Sequence, residues 1–306
     1  MSRKLLWVCA GSMLLAACGG GDSGDKGPTL AEARSDAVID NAESAAQAAA
    51  YIAMVNDIDG LADNRDLDDQ FRGKAARAVM KFRLEDDCPG GGDFAIFDND
   101  DPDFLTLQFN NCTSENAEVL DGQVTLQCLA GSFQDDSCTN VLITYGVGND
   151  DFSFRDPQRS ASLVGPWRVI TTSNSIRVEQ SLELLARDDG RDLQVAAVTQ
   201  NFFNDLEQDG SGGGLASIGG SAGASFSSMN VECATGLVTF TTLERVQINS
   251  SGQLVGGRVR VSNQAGASAE VAFSSDGTVT VTYNGATQTF PSSRFERFCE
   301  IDDGSG

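Results

Sequence analysis

Residues 276–285 read Asp-Gly-Thr-Val-Thr-Val-Thr-Tyr-Asn-Gly, an alternation of apolar and hydroxyl side chains held between two turn dipeptides. A period of two puts Val279, Val281 and Tyr283 on one face and Thr278, Thr280 and Thr282 on the other. That is the pattern of an antiparallel strand covered on one side. Asp276-Gly277 and Asn284-Gly285 suit tight hairpins that need positive φ. The rhythm recurs upstream: Leu105, Leu107 and Phe109 alternate with Thr106 and Gln108, and Ile176 and Val178 with Arg177 and Glu179. Asp121-Gly122 and Asp189-Gly190 read as further hairpin turns. The expectation over residues 85–306 is a mainly β body. It is an antiparallel meander of eight to twelve strands, either an open curled sheet or a barrel. Its longest flexible interruption is the Gly/Ser stretch from Gly210 to Ala224.

Ahead of the strands the period lengthens. Residues 29–84 read as a short α-helical N-terminal region. Thr29 with Glu32 makes a capping box, and Ile39, Ala42, Ala46, Ala49 and Ala53 recur at spacings of three and four. Leu67, Phe71, Ala75, Ala78 and Phe82 predict a second helix. Their apolar faces are narrow and Ala-rich, so these helices need something larger to pack on.

Residues 1–17 read as a signal peptide, with Arg3 and Lys4 before an apolar run that ends at Ala17. The run is shorter than the roughly 20 residues of a membrane-spanning helix. Leu15-Ala16-Ala17-Cys18 resembles the lipobox of bacterial lipoproteins, in which the cysteine is lipidated and begins the mature chain. The resemblance implies lipidation at Cys18 and a membrane partnership through that lipid. Gly19, in place of Asp, implies outer-membrane sorting, with the protein on the periplasmic face or at the cell surface. Each buried methylene contributes about 0.8 kcal/mol, so the three acyl chains typical of such proteins hold far longer than one. Residues 18–28 then read as a Gly-rich tether with no apolar side chain to pack.

The formal net charge is −23 over 306 residues, and loss of Arg3 and Lys4 makes it two units more negative. Such a surface repels polyanions, which argues against a nucleic-acid partner. About 290 residues remain after the leader, enough for one large domain or two smaller ones. Cys9 leaves with the leader. Cys88, Cys112, Cys128, Cys138, Cys233 and Cys299 remain, an even number in an exported chain, which predicts three disulfides. Six cysteines allow 15 connectivities. Pairing of neighbours, 88 with 112, 128 with 138 and 233 with 299, is the expectation. A zinc site is the weaker reading, since there is no close Cys-x-x-Cys pair and no histidine.

Two β segments carry a further resemblance. Cys88–Cys112, CPGGGDFAIFDNDDPDFLTLQFNNC, resembles a segment of uncharacterised Gram-negative outer-membrane lipoproteins, with its Cys-Pro-Gly-Gly start, Asp-rich turn and Phe-Asn-Asn-Cys end. Ser251–Gly285 resembles their C-terminal hairpins. The resemblance implies an exported lipoprotein with a β-rich body, and brings no activity or catalytic residue with it. If the first segment is one hairpin, a Cys88–Cys112 bond closes its base.

Several local patterns invite chemistry. Gly219–Gly223, GGSAG, matches the spacing of a nucleophile elbow, but Ser221 has no histidine to take its proton. Ser23-x-x-Lys26 falls in the tether, where nothing aligns the pair. Gly214–Ser221 has phosphate-loop glycines but Gly220 where the lysine belongs. Asp57, Asp59, Asp63 and Asp66 around Gly60 resemble Asp-rich calcium repeats, and are the candidate calcium ligands. Asp98, Asp100, Asp101 and Asp103 form a second acidic group. Neither matches a full EF-hand loop. Paired-carboxylate hydrolysis has no pair singled out by spacing. Trp167, the one tryptophan outside the leader, reads as core packing rather than a ligand groove.

The functional expectation is a membrane-anchored lipoprotein with a non-enzymatic structural or binding role at the bacterial cell envelope. Its partner would be an envelope protein. The alternative is a carrier that holds a lipid or other apolar ligand in a curled β-sheet. An uncharacterised hydrolase stands third.

Overall fold

A computed structural model describes residues 27–51, 88, 90–97, 101–113, 119–135, 137–146, 151–189, 193–209, 213–227, 232–251 and 253–299. The protein is mainly β, and its strands pair antiparallel, as their alternation predicts. Among the described residues fifteen strands form one sheet. They are β1 (Asp93–Phe97), β2 (Phe104–Thr113), β3 (Val119–Ala130), β4 (Asn140–Tyr145), β5 (Phe152–Arg155), β6 (Arg159–Thr171), β7 (Ser175–Gln180) and β8 (Glu183–Asp188). Then come β9 (Leu193–Gln208), β10 (Gly214–Phe226), β11 (Gly236–Ile248), β12 (Leu254–Ser262), β13 (Ser268–Ser274), β14 (Thr278–Tyr283) and β15 (Ala286–Pro291). The order follows the chain from β1 to β15, except that β4 and β5 share the row between β3 and β6, and β7 and β8 share the row between β6 and β9. Among the described residues β1 and β15 do not pair, so the sheet is open.

Three expectations change. The strand count among the described residues exceeds eight to twelve: even with β4 and β5, and β7 and β8, taken as single broken rows there are thirteen rows. Asp121-Gly122 is no hairpin turn but lies inside β3. Gly122 has φ +100°, and a Cβ there would sit 2.4 Å from the Asp151 carbonyl, just where the partner row breaks between β4 and β5. Glycine is needed there for the left-handed φ and the close backbone approach, not for a turn. The Gly210–Ala224 stretch is not a flexible interruption either: from Gly214 onward it is β10, paired on both sides. Small residues there let other backbone come close, as the next subsection describes.

The Thr29–Glu32 capping box is present, with the Glu32 amide donating to Thr29 Oγ1 at 3.2 Å and the Thr29 amide to Glu32 Oε2 at 2.8 Å. The helix it opens, α1 (Leu30–Ala33), lasts one turn. Asn41 then caps a separate α2 (Ala42–Ala49), so Ile39 precedes the helix whose face it was expected to share. Ala53 and the second helix expected at 67–82 lie outside the described residues. A short α3 (Ser292–Arg297) follows β15.

The main core lies on one face of β8 to β15, where α2 and α3 pack. It joins Leu193, Val195 and Ala197 of β9 to Val238, Phe240, Val259, Val271 and Val281, with Ala45, Ala46, Ala48 and Ala49 of α2 and Phe295 of α3. Smaller clusters cover β1 to β4 around Leu107, Phe109, Val124 and Leu126, and β6 around Trp167, Val169 and Leu182. Trp167 is a core residue, as read. On the opposite, solvent-facing side, Arg258 pairs with Glu244 at 2.7 Å and Arg260 with Glu270 at 2.9 Å, exposed contacts that stabilise little.

Candidate functional site

The cysteines can be traced first. Cys88 is bonded to Cys112, Cys128 to Cys138 and Cys233 to Cys299. The neighbour pairing is therefore the one present. It uses all six body cysteines and leaves none of them as a thiol nucleophile or metal ligand.

Cys18, Ser23 and Lys26 lie outside the described residues, as do the candidate calcium ligands Asp57, Asp59, Asp63 and Asp66. Of the second acidic group, Asp98 and Asp100 also lie outside. The two members described are used locally: Asp101 Oδ1 accepts the Asp103 amide at 3.0 Å, and Asp103 Oδ1 accepts the Phe133 amide at 2.9 Å. They order the turn before β2 and the loop after β3. Among the described residues no three His, Cys, Asp or Glu side chains are grouped to hold a metal. Ser221 sits mid-strand in β10, and its hydroxyl is 2.8 Å from that of Thr239. The strand-to-helix turn of a nucleophile elbow is absent there. Over β12 to β15 the apolar face that a carrier would offer is packed against α2 and α3.

The most elaborately built feature is one that the sequence reading left unread: the strap formed by residues 27–51. Successive residues of a strand point to opposite faces. Ala196 and Val198 of β9 and Leu237 of β11 face α1, where they enclose Leu30 and Ala33. Val195, Ala197 and Val238 face the other way, into the core that contains α2. The chain therefore passes from one face of the sheet to the other between α1 and α2.

It makes the crossing over the end of the sheet where β11 begins. Asp36 forms a parallel bridge with Leu237, the Leu237 amide donating to Ser35 O at 2.6 Å and the Ala37 amide to Leu237 O at 3.3 Å. The Asp36 carboxylate accepts the amides of Gln264 and Ala265, at 2.6 and 2.8 Å, from the β12–β13 turn. Asn263 Nδ2 donates to Ala37 O at 2.9 Å. Glycine at 223 permits the approach, for a Cβ there would lie 2.4 Å from Ala33 O.

Tyr51 is the last described residue of the strap. Its hydroxyl is wholly buried, donates to Ala234 O and accepts the Ala224 amide at 3.2 Å. Burial pushes its pKa above the ordinary phenol value, so it stays a neutral donor. The Cys233–Cys299 bond clamps the same region, with Cys299 Sγ 3.7 Å from Gln47 O and Arg294 paired to Glu43 at 2.6 Å. Such a construction holds a segment in place. The chain matches no protein-family model, no curated protein and no solved structure.

Proposed function

We propose that this chain is an outer-membrane lipoprotein of the bacterial cell envelope, anchored through lipid on Cys18, whose disulfide-braced β body has a structural or binding role rather than a catalytic one. One observation carries the reading. All six cysteines of the body are consumed in pairs, as in a chain folded in an oxidising compartment, so Cys18 behind Leu15-Ala16-Ala17 is left for another purpose. The leader, the lipobox resemblance and the absence of histidine all fit this reading.

The test is chemical. In a Gram-negative host the N-terminal peptide of the mature protein should begin at Cys18 and carry a diacylglyceryl group by mass spectrometry. Cys18→Ala should move the protein from the membrane fraction to the soluble periplasmic fraction. An unmodified Cys18, or a Cys18→Ala protein still membrane-bound, overturns the reading.

A further inference from the structure

We infer that the protein stands on the membrane by one defined pole of its sheet. This is the pole formed by the β8–β9, β12–β13 and β14–β15 turns and the strap crossing, and the opposite pole points away from the lipid. The inference rests on the lipoprotein reading and adds an orientation to it.

Three observations place the poles. First, the register of β9 to β15 puts those turns at one end and the β9–β10, β11–β12 and β13–β14 turns at the other. Second, the chain enters the body at the first end. Gly27 lies against the Gln194 side chain near the start of β9, and Leu30 and Ala33 just after it pack on Ala196, Val198 and Leu237 at the same end. The Ser227 and Gln194 backbones are hydrogen-bonded beside it at 3.0 Å. With α1 on one face, α2 on the other and Asp36 pinned between them, this entry point is part of the body and cannot swing to the far end.

Third, the anchor is short. Nine residue steps separate Cys18 from Gly27, and even fully extended they span only about 30 Å. β9 alone, at 16 residues, runs ~50 Å from pole to pole at about 3.3 Å per residue. The near pole is therefore confined to the vicinity of the head groups, while the far pole can reach them only if the whole sheet lies flat. The partner surface of the near pole is thus the bilayer, and the far pole is the one exposed to the compartment.

Energy transfer to labelled lipid tests this on the full-length lipidated protein. The protein is reconstituted in phosphatidylethanolamine–phosphatidylglycerol vesicles that contain a rhodamine lipid. A donor dye is attached through an azido amino acid at Gln264, exposed in the near-pole β12–β13 turn, or at Ser250, exposed in the far-pole β11–β12 turn. β12 separates the two by ~30 Å, so transfer at Gln264 should exceed that at Ser250 at least about twofold. Equal transfer, or more from Ser250, overturns the orientation while leaving the lipoprotein reading intact. Absence of diacylglyceryl on Cys18, or unchanged vesicle binding by Cys18→Ser, removes the reading and the orientation together.

Discussion

Tyr51 carries more than its single hydroxyl would suggest. It joins the strap to Ala224 in β10 and to Ala234, two residues before β11. Tyr51→Phe keeps the ring but leaves the buried Ala234 carbonyl short of a donor, which costs about 1–3 kcal/mol. The denaturant midpoint should fall accordingly, with an unchanged slope. Gly223 offers a sharper test of the same contact. A methyl there meets Ala33 O at 2.4 Å and Gly236 O at 2.7 Å. Gly223→Ala should therefore destabilise by about 1–3 kcal/mol, as overpacking does. Loss of amide-exchange protection should appear first in residues 30–37. A variant as stable as the parent would show that the strap does not rest on β10 in solution. Neither role was legible in the sequence. Tyr51 is one aromatic beyond an Ala-rich run, and Gly223 is one glycine among many.

At the scale of elements, the disulfides differ in what they close. Cys233–Cys299 spans 66 residues of chain, Cys88–Cys112 spans 24 and Cys128–Cys138 spans 10. The chain-entropy model gives about 4 kcal/mol for the longest loop and about 3 kcal/mol for the shortest. Cys233→Ala with Cys299→Ala should thus lower stability most in reversible unfolding. Its excess over that model should be largest at low denaturant, since the bond also clamps α2 and α3. Strands were readable wherever one face is apolar and the other wet, as in β2, β7 and β14. β10 was not, because Gly, Ala and Ser resemble a loop until the backbones they admit are known. α1 and α2 were read as one helix because Ile39 continues the three–four spacing. The Asn41 cap and the Asp36 bridge break it there.

The whole molecule has an unusual titration. It has no histidine, the one side chain whose ordinary pKa lies between about 5 and 8. Its thermal midpoint should be flat from about pH 6 to 8. Glu32 is held below its ordinary pKa by the Thr29 amide and then its hydroxyl, and Glu179 by its hydrogen bond to Arg177. A carboxylate depressed in the folded state stabilises it above the unfolded value, about 4.3, and that contribution fades as pH falls through the folded value. Stability should therefore decline below about pH 4 and not before. A midpoint that changes steeply between pH 6 and 8 would contradict this.

Local alternation determined the class of the protein. Period two with Gly-containing turns specifies antiparallel strands wherever they occur, because side chains alternate across any pleated sheet. The even body cysteines likewise specified disulfides, and their neighbour pairing followed chain order. What only the tertiary structure decided depends on contacts between residues distant in sequence. These are that the sheet of the described residues is open with fifteen strands, that a Gly/Ser stretch is one of its central strands, and that residues 27–51 are locked across both faces. Asp36 and Gln264, or Tyr51 and Ala234, lie some two hundred residues apart. No local pattern records such a meeting, because each residue alone satisfies its neighbours equally well without it.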